Sequence, residues 1–453
     1  MFKIEDSINK LLEEKKYSTI RDILVLMAPS DLAAIFELIE EKNIPLVFRL
    51  LPKDKADDTF VEMENEYQEL LIKSFTDSEL KAILDEMYVN DVADLVEEMP
   101  ANVVSRILKN VDSETRKDIN LILQYPENSA GSIMTTEYVS LKLGTTVGQA
   151  IKQIRETGVE KKSFYACYVT KNRKLIGRLS VKDLLLAKSD DILIDDIMKT
   201  NVLSVTTHED QETASKLLAK YNFYALPVVD TEQNMVGIIA FDDALEVMEE
   251  ETTEDMELMA GMSHSEKTYL HESIFNLFKH RIGWLLFLMV SATFTGLIIT
   301  HFENALSTLV VLTAFIPMLM DTGGNSGSQS SVIIIRAIAL DEVRFKDIFK
   351  VLVKEFFTAL LCGAVLAAVC FAKIMLFDRM ILRNDDITVA VAMTVCFTMI
   401  ATIVVAKVVG CTLPLFAKKL GFDPAVMASP LITTIADALS LLVYFGIAKV
   451  LLF

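Results

Sequence analysis

Cysteine, histidine and tryptophan are scarce in this chain of 453 residues, which has five cysteines, five histidines and one tryptophan. Four of the cysteines lie in apolar runs, and no two of them form a CxxC pair. The cysteines are Cys167, Cys362, Cys370, Cys396 and Cys411. This pattern is typical of small buried side chains in a reducing compartment, so neither disulfide bonds nor thiolate metal sites are expected.

Basic residues are in deficit, but only in one part of the chain. The net charge is −19, from 44 Lys and Arg against 63 Asp and Glu. Residues 281–453 contain 13 basic and 11 acidic residues, so the whole deficit lies in residues 1–280, whose net charge is −21. An acidic segment of this kind repels nucleic acid and anionic lipid and attracts cations.

The N-terminal sequence MFKIEDSINKLLEEKK has no apolar core of a cleaved signal peptide, so we expect the first 280 residues to be cytoplasmic.

Long apolar runs are abundant after residue 280. A membrane-spanning helix needs about 20 apolar residues, and five runs meet this requirement. The predicted helices are 283–300, 305–337, 356–377, 387–411 and 425–452. Most Lys and Arg residues of the connecting loops fall on one side of the membrane if the N-terminus is cytoplasmic. The sequence therefore predicts a multi-pass membrane protein with an extracytoplasmic C-terminus.

One acidic residue interrupts the last apolar run. Asp437 has no Lys or Arg within ten residues of it. A charge at the bilayer centre costs about 2.5–3.5 kcal/mol even on the lenient insertion scale, so such residues usually face a cavity or an ion path. The alternative is a packing role in which Asp437 bonds a Ser or Thr. Thr433 lies four residues earlier, on the same helix face.

The second predicted helix contains the polar stretch PMLMDTGGNSGSQSS at residues 317–331. Gly323, Gly324 and Gly327 would allow another helix to approach closely, and this packing role alone could explain them. Asn325 and Gln329 are four residues apart and share a helix face, so they could instead offer oxygen atoms to a water-filled path. A phosphate-binding loop is disfavoured because no Lys-Ser/Thr pair follows the glycines.

Residues 134–186 and 198–248 form an internal repeat. Gly177 and Gly237 are 60 residues apart, as are Asp183 and Asp243, and each copy reads strand, helix, strand, strand, helix. The pair resembles tandem CBS domains. That resemblance implies a regulatory module that can bind an adenine nucleotide such as ATP. The residues it implies for this cleft are Tyr165, Lys182, Asp183 and Phe223, with Lys182 standing where family members often have Arg.

Two further segments complete the cytoplasmic part. Residues 1–130 read as helices whose starts recur about every 24 residues, which predicts a small helical solenoid or an irregular bundle. Residues 242–257 contain nine acidic residues and no basic one. Because like charges at i,i+4 destabilise a helix, this connector either binds counter-ions or is simply solvated.

The whole chain resembles the bacterial MgtE-type magnesium transporters, through this domain order and the motifs TGGNSGSQSS and GFDPAVMASPLITTIAD. The fold class implied is multidomain, with an all-α helical-repeat N-domain, an α/β tandem CBS pair, a long acidic connecting (plug) helix and an all-α transmembrane domain of five helices. The boundaries are 1–130, 131–190, 191–248, 249–280 and 281–453. The resemblance implies a non-enzymatic homodimer in the bacterial inner membrane that conducts Mg²⁺ inward, with Asp437, Asn325 and Thr433 at the pore metal.

The resemblance also implies regulation by intracellular Mg²⁺, which would bridge acidic residues and hold the pore shut. The regulatory residues it implies are Asp58, Asp94, Asp210, Glu212, Asp243, Glu246, Glu251, Glu254, Asp255 and Asp423. Asp423 would meet the connector at Glu254. Asn90 and Asn222 stand where an Asp is expected, which should weaken some of the bridging sites.

Three other functions fit parts of the sequence. The ion could be Co²⁺ or Mn²⁺, although no His, Cys or Met near Asp437 favours a softer metal. The protein could be a non-conducting membrane sensor of metal or nucleotide. It could also be a membrane phosphotransferase, for which Asp321 is the single candidate nucleophile. A flux measurement separates these functions.

Overall fold

The computed structural model describes residues 2–158, 161–265, 269, 272–303, 307, 309–384, 386–427 and 429–452. The chain divides into two compact units, Met1–Glu249 and Glu250–Phe453. We describe each unit by itself.

The N-terminal part of the first unit is helical, as predicted. Its α-helices are α1 (Phe2–Glu13), α2 (Tyr17–Leu24), α3 (Pro29–Phe36), α4 (Ile44–Phe48), α5 (Lys53–Val61), α6 (Asn65–Ser74), α7 (Asp77–Leu84), α8 (Val89–Glu98), α9 (Ala101–Asn110) and α10 (Ser113–Ile122). The Phe48 ring lies 5.5–6.3 Å, between centroids, from the rings of Phe36, Phe60 and Phe75. These aromatic contacts join α3, α4, α5 and the end of α6 in one apolar core.

The repeated segments fold in the predicted order. The first copy contains β1 (Tyr138–Lys142), α11 (Val147–Thr157), β2 (Ser163–Lys171), β3 (Lys174–Ser180) and α12 (Val181–Leu185). After α13 (Ile194–Ile197), the second contains β4 (Val205–Thr206), α14 (Gln211–Tyr221), β5 (Ala225–Val229), β6 (Met235–Ala240) and α15 (Phe241–Met259). Each sheet has one parallel and one antiparallel pair, β1–β2–β3 and β4–β5–β6. The buried Tyr168 hydroxyl donates to the carbonyl oxygen of Ala225 at 3.0 Å and so links the two copies.

The connecting helix differs from its predicted range of 249–280. The acidic segment belongs to α15, which begins at Phe241, directly after β6, and ends at Met259. Gly261 has a φ of 73°, a left-handed conformation that ends helices, and residues 262–265 are not helical. Residues 266–268, 270 and 271 of the predicted range lie outside the described residues.

The second unit consists of long helices. They are α16 (Ile274–His301), α17 (Ile316–Ala339), α18 (Ile348–Lys373), α19 (Val389–Leu420) and α20 (Ser429–Leu451). Short 3-10 turns precede three of them, at Val310–Phe315, Phe345–Asp347 and Pro424–Met427, and a π-helical turn, Ile374–Ile381, follows α18. Several helices extend beyond the predicted apolar runs because backbone hydrogen bonding continues into the polar flanks. The predicted start of the second helix, at 305, falls in the undescribed residues 304–306.

Four helical segments in the described part of the chain are long and apolar enough to cross a membrane: 274–301, 345–381, 389–420 and 424–451. The prediction of five such helices is therefore not confirmed by length and hydropathy alone. The predicted helix that is absent from these four segments is the second one, which corresponds to α17 and has 24 residues. At 1.5 Å per residue this helix is long enough to cross a hydrocarbon core of about 30 Å, but its polar stretch lowers its hydropathy.

Candidate functional site

The three glycines of the polar stretch lie where α17 contacts α19 and α20. The stretch is helical throughout. A Cβ added to Gly323 would lie 2.7 Å from Ser440 Oγ, and one added to Gly324 would lie 2.7 Å from Thr433 Cγ2. A Cβ on Gly327 would lie 3.0 Å from the carbonyl oxygen of Ala406. The absent side chains therefore permit close helix packing, which is one of the two roles predicted from the sequence.

A cavity of about 420 Å³ lies beside this contact. It is lined by Ile316, Pro317, Met320, Asp321, Gly324, Asn325, Thr433 and Asp437. The structure thus brings together all three residues predicted for the pore metal, although they come from helices more than 100 positions apart. Packing and cavity lining are therefore both properties of the same glycine-rich segment.

The polar atoms of this cavity are mainly oxygen atoms held in place by local hydrogen bonds. Asn325 Nδ2 donates to Asp321 Oδ1 at 3.0 Å, which leaves the amide oxygen of Asn325 as its acceptor. The Thr433 hydroxyl donates to the carbonyl oxygen of Pro430 at 3.0 Å. Carboxylate, amide and hydroxyl oxygens are ligands that suit hard cations such as Mg²⁺, either directly or through retained water.

Asp321 is a fourth oxygen-bearing residue of this cavity, and the sequence prediction of the pore site does not include it. From the sequence it is only a candidate nucleophile or base for phosphotransfer. The available signal was its position four residues before Asn325, which places both side chains on one helix face. Asp321, Asn325 and Gln329 are all exposed in the single chain, so α17 carries a polar stripe on its surface.

A buried ion pair lies elsewhere in the second unit, and the sequence prediction missed it too. Lys407 Nζ of α19 lies 3.5 Å from Glu355 Oε2 of α18, and the two side chains are 7% and 12% exposed. Ser330 of α17 bridges them, since its hydroxyl donates to Glu355 Oε2 at 2.6 Å and accepts from Lys407 Nζ at 3.0 Å. The network joins three of the long helices in an otherwise apolar interior.

In the first unit, acidic residues of α8 and α15 surround one lysine. Lys162 Nζ lies 3.3 Å from Asp91 Oδ1, 3.5 Å from Asp242 Oδ2 and 3.2 Å from Asp243 Oδ1. The three carboxylates outweigh the opposing effect of burial and raise the pKa of Lys162 above its ordinary value. The ammonium therefore stays charged in this acidic surrounding.

Asp94, one of the predicted regulatory residues, lies near the same cluster. Burial, together with the charges of Asp91 and Asp243, raises its pKa to about 8. Burial likewise raises the pKa of Asp243 to about 6, although Lys162 opposes the shift. The structure thus brings together two of the predicted regulatory residues, and both carboxyl groups would ionise more readily if a cation lay closer to them.

The other predicted regulatory residues have local roles in the structure. Asp210 caps α14 by accepting from the backbone N–H of Thr213 at 2.9 Å, Glu212 pairs with Lys216, and Asp423 accepts from the N–H of Ala425 at 2.7 Å. Asp58 lies on α5, and Glu246, Glu251, Glu254 and Asp255 lie on α15. Within the described residues, no three His, Cys, Asp or Glu side chains are close enough together to hold a metal ion.

The residues predicted to line a nucleotide cleft lie in the repeated part of the first unit. Tyr165 is 55% exposed, and its ring centroid lies 5.4 Å from that of Tyr224. The Arg178 guanidinium lies 4.0 Å from the centroid of the Phe223 ring. Asp183 accepts from the N–H and hydroxyl of Ser180 at 2.8 and 2.7 Å, and Lys182 is the adjacent residue in α12. Arg178, which lies beside Phe223, is a cation that the sequence prediction did not include.

In the second unit, the chain that follows α15 contacts α16. A Cβ added to Gly261 would collide with the indole ring of Trp284. The backbone N–H of Ser263 donates to the carbonyl oxygen of His280 at 3.1 Å. Glu257 of α15 bonds His264 Nδ1 at 2.9 Å. The segment directly after the acidic helix therefore contacts the first long helix.

Three family models match consecutive parts of the chain. A model described as MgtE, divalent cation transporter, matches residues 316–447, the MgtE intracellular N domain matches 27–128, and the CBS domain matches 130–190 and 194–250. The chain is 32% identical to the magnesium transporter MgtE of Thermus thermophilus, over 99% of both chains. It is 31% identical to the magnesium transporter MgtE of Bacillus subtilis, over 97% of this chain and 95% of that one.

Two solved structures resemble the first part of the chain. The cytosolic domain of the Mg²⁺ channel MgtE in complex with ATP aligns with a TM-score of 0.51 and 33% identity, and the match covers 54% of this chain and 99% of that one. The soluble part of a magnesium transporter aligns with a TM-score of 0.50 and 27% identity, over 55% of this chain and 97% of that one.

Proposed function

We propose a function from one established premise: this chain belongs to the MgtE family of magnesium transporters, which are membrane proteins and not enzymes. Our proposal is that it conducts Mg²⁺ into the cytoplasm through a pore between two copies of the chain. The observation that carries the proposal is the cavity of about 420 Å³ in which Asp321, Asn325, Thr433 and Asp437 meet. Their oxygen atoms suit a partly hydrated Mg²⁺ ion.

The need for a second copy follows from the polar surface of α17. Asp321, Asn325 and Gln329 are exposed in the single chain, and Asp437 lies beside them in the cavity. Groups of this kind cannot face lipid tails at low cost, so at membrane depth they must face water or protein. A twofold axis next to the cavity would place two identical polar surfaces around one aqueous path. It would also double the carboxylates available to the ion.

The proposed topology has five membrane crossings. They are the four apolar segments and α17, which lies between the first two of these segments along the chain. Its polar stripe would face the pore, which explains why its composition differs from that of the four apolar segments. The cytoplasmic N-terminus, the extracytoplasmic C-terminus and the location in a bacterial inner membrane follow from the loop charges and the family.

We propose that intracellular Mg²⁺ closes this pore by binding the acidic residues of the first unit and of α15. Asp94 supports this idea, because a buried carboxyl group whose pKa is raised to about 8 gains most from a nearby cation. The other proposed ligands are Asp58, Asp210, Glu212, Asp243, Glu246, Glu251, Glu254, Asp255 and Asp423. Among them, Asp243 already contacts Lys162.

We further propose that the tandem CBS domains bind ATP. The solved relative with ATP supports this proposal, as do the exposed Tyr165 ring and the Arg178 cation beside Phe223. A stacked adenine and a phosphate-binding cation would account for these two side chains, with Lys182, Asp183 and Phe223 as neighbours.

Flux into liposomes tests the proposed transport. Purified protein should admit Mg²⁺ to an internal dye, at a rate that rises with an inside-negative potential and falls when Mg²⁺ is present on the cytoplasmic face. A preference for Co²⁺ or Mn²⁺ over Mg²⁺ would favour the alternative ions. Binding of Mg²⁺ without any flux would favour the non-conducting sensor.

The contact between Gly261 and Trp284 gives an optical test of closure. Trp284 is the single tryptophan of the chain, so tryptophan emission reports on the surroundings of this indole. If Mg²⁺ acts through the connector, adding it to protein in nanodiscs should shift the emission maximum. Gly261→Ala should shift the emission without Mg²⁺, because the added methyl group collides with the indole and the residue keeps a left-handed φ of 73°.

Gly296→Ala provides a matched control for that experiment. Gly296 lies in α16 like Trp284, but a Cβ added there meets nothing within 4 Å. Its emission and Mg²⁺ response should match those of the unmodified protein. If the emission spectrum of the unmodified protein did not change when Mg²⁺ is added, this would contradict coupling of Mg²⁺ binding to the contact between Gly261 and Trp284.

A further inference from the structure

Lys162 joins three segments of the first unit that are distant in sequence. It lies just before β2, while its ammonium contacts Asp91 of α8 and both Asp242 and Asp243 of α15. The lysine side chain is 10% exposed, and those of Asp91 and Asp243 are 11% and 13% exposed. We call this group of one lysine and three aspartates the Lys162 cluster.

Neutral groups around the cluster make further contacts with its charged side chains. Asn90 Nδ2 donates to Asp91 Oδ1 at 2.9 Å and also approaches Asp243 Oδ1 at 3.3 Å. The Lys162 ammonium additionally lies 4.8 Å from the centroid of the Tyr88 ring, a distance typical of cation–π contacts. Asn90 is one of the two positions where the sequence analysis expected an acidic residue, and here it serves as a donor to the carboxylates.

We propose that the Lys162 ammonium is the resident cation of this acidic site and takes the place of a divalent ion. Mg²⁺ needs oxygen ligands at about 2.0–2.1 Å in an octahedral arrangement. It could not approach Asp91 and Asp243 in this way while the ammonium lies 3.2–3.3 Å from both. The contact of α8 with α15 is therefore held without Mg²⁺.

The consequence for regulation rests on the proposed function, whereas the occupancy of the site does not. If this contact is permanently closed without Mg²⁺, Asp94 and Asp243, which lie at it, are not regulatory ligands, and intracellular Mg²⁺ acts through the other residues of the proposed set. Asn90 leaves one negative charge fewer beside a monovalent ammonium, so the asparagine does not weaken the contact between α8 and α15.

One backbone amide reports on the docking of α8 against the CBS pair, to which the Lys162 cluster contributes. The N–H of Val89, the first residue of α8, donates to Glu137 Oε2 at 3.3 Å, so its hydrogen bond crosses from the N-terminal helices to the CBS pair. The test is hydrogen exchange of the peptide containing Val89, in the full-length protein in nanodiscs, with EDTA or with millimolar Mg²⁺. In the unmodified protein, the two exchange rates should agree within about twofold.

Lys162→Met should make this exchange depend on Mg²⁺. Without the ammonium, three carboxylates repel one another, and exchange in EDTA should rise by about tenfold or more. Added Mg²⁺ should then slow it again, because a cation can occupy the vacated position. Lys162→Arg should behave like the unmodified protein.

A third variant separates this role from ordinary structural packing. Lys162→Met combined with Asp91→Asn and Asp243→Asn removes most of the repulsion, so exchange should again be slow and independent of Mg²⁺. Mg²⁺-dependent exchange in the unmodified protein would overturn the proposal, as would a Lys162→Met variant that Mg²⁺ does not slow. Because the readout is amide exchange, a failure of ion flux would not affect this result.

Discussion

Mg²⁺ flux falls by about a hundredfold or more when Asp437 is replaced by alanine. The carboxylate compensates part of the hydration that the ion loses inside the cavity, and removing one partner of such a desolvated charge pair costs about 3 kcal/mol. That cost corresponds to roughly a hundredfold in rate or affinity. Flux should be measured with a Mg²⁺-sensitive dye in liposomes that contain equal amounts of each protein.

Three further variants show whether charge is the cause. Asp437→Asn keeps an oxygen atom but loses the charge, so its flux should fall almost as far. Asp437→Glu keeps the charge and should retain part of the flux. Asp341→Asn is the matched control, because Asp341 lies after α17, pairs with Arg344 at 3.2 Å and lies outside the cavity. Flux through Asp437→Ala near the unmodified rate would contradict the role of this residue.

Lys407→Met destabilises the protein by about 3–5 kcal/mol, since it leaves Glu355 buried without its partner. The methionine fills much of the lysine volume, so the loss arises from charge and not from a cavity. Ser330 alone cannot compensate, because it offers one hydroxyl to the carboxylate at 2.6 Å. The measurement is the thermal unfolding midpoint of the detergent-solubilised protein.

The double variant Lys407→Met, Glu355→Gln is the control for this prediction. It removes both charges together, and a buried ion pair replaced by neutral residues of similar size is often tolerated. Its unfolding midpoint should therefore lie close to that of the unmodified protein. If Lys407→Met alone melted at the original temperature, the pair at 3.5 Å would contribute nothing measurable to folding.

Local features of the fold could be predicted because their signals lie within short stretches of sequence. The CBS strands coincide with alternating or short apolar runs. The same pattern occurs twice, with Gly177 and Gly237 60 residues apart, so each copy supports the prediction for the other. The membrane helices were detected from apolar length, but their ends were missed because helical hydrogen bonding does not stop where hydrophobicity does. The predicted connector is too long because it continues through Gly261, although glycine is the residue most often found in the left-handed conformation that ends a helix.

The candidate site was predictable only where a residue is conspicuous by itself. Asp437 is a lone charge in an apolar run, so its burial is costly and its position is informative. Asp321 is less conspicuous because it lies within a polar stretch, where its position four residues before Asn325 is the available signal. Lys407 and Glu355 lie 52 residues apart, and Lys162 and Asp91 lie 71 apart. Such long-range pairs depend on tertiary packing, which one sequence does not specify.

The central claim is that two copies of Asp437 face each other across a water-filled path. It is tested most directly by Asp437→Cys in a chain whose five native cysteines are replaced by serine. In liposomes, a bifunctional thiol reagent should convert this variant to a covalent dimer, and a water-soluble thiol reagent applied first should prevent the reaction. A variant that neither forms the dimer nor reacts with the water-soluble reagent would contradict the account.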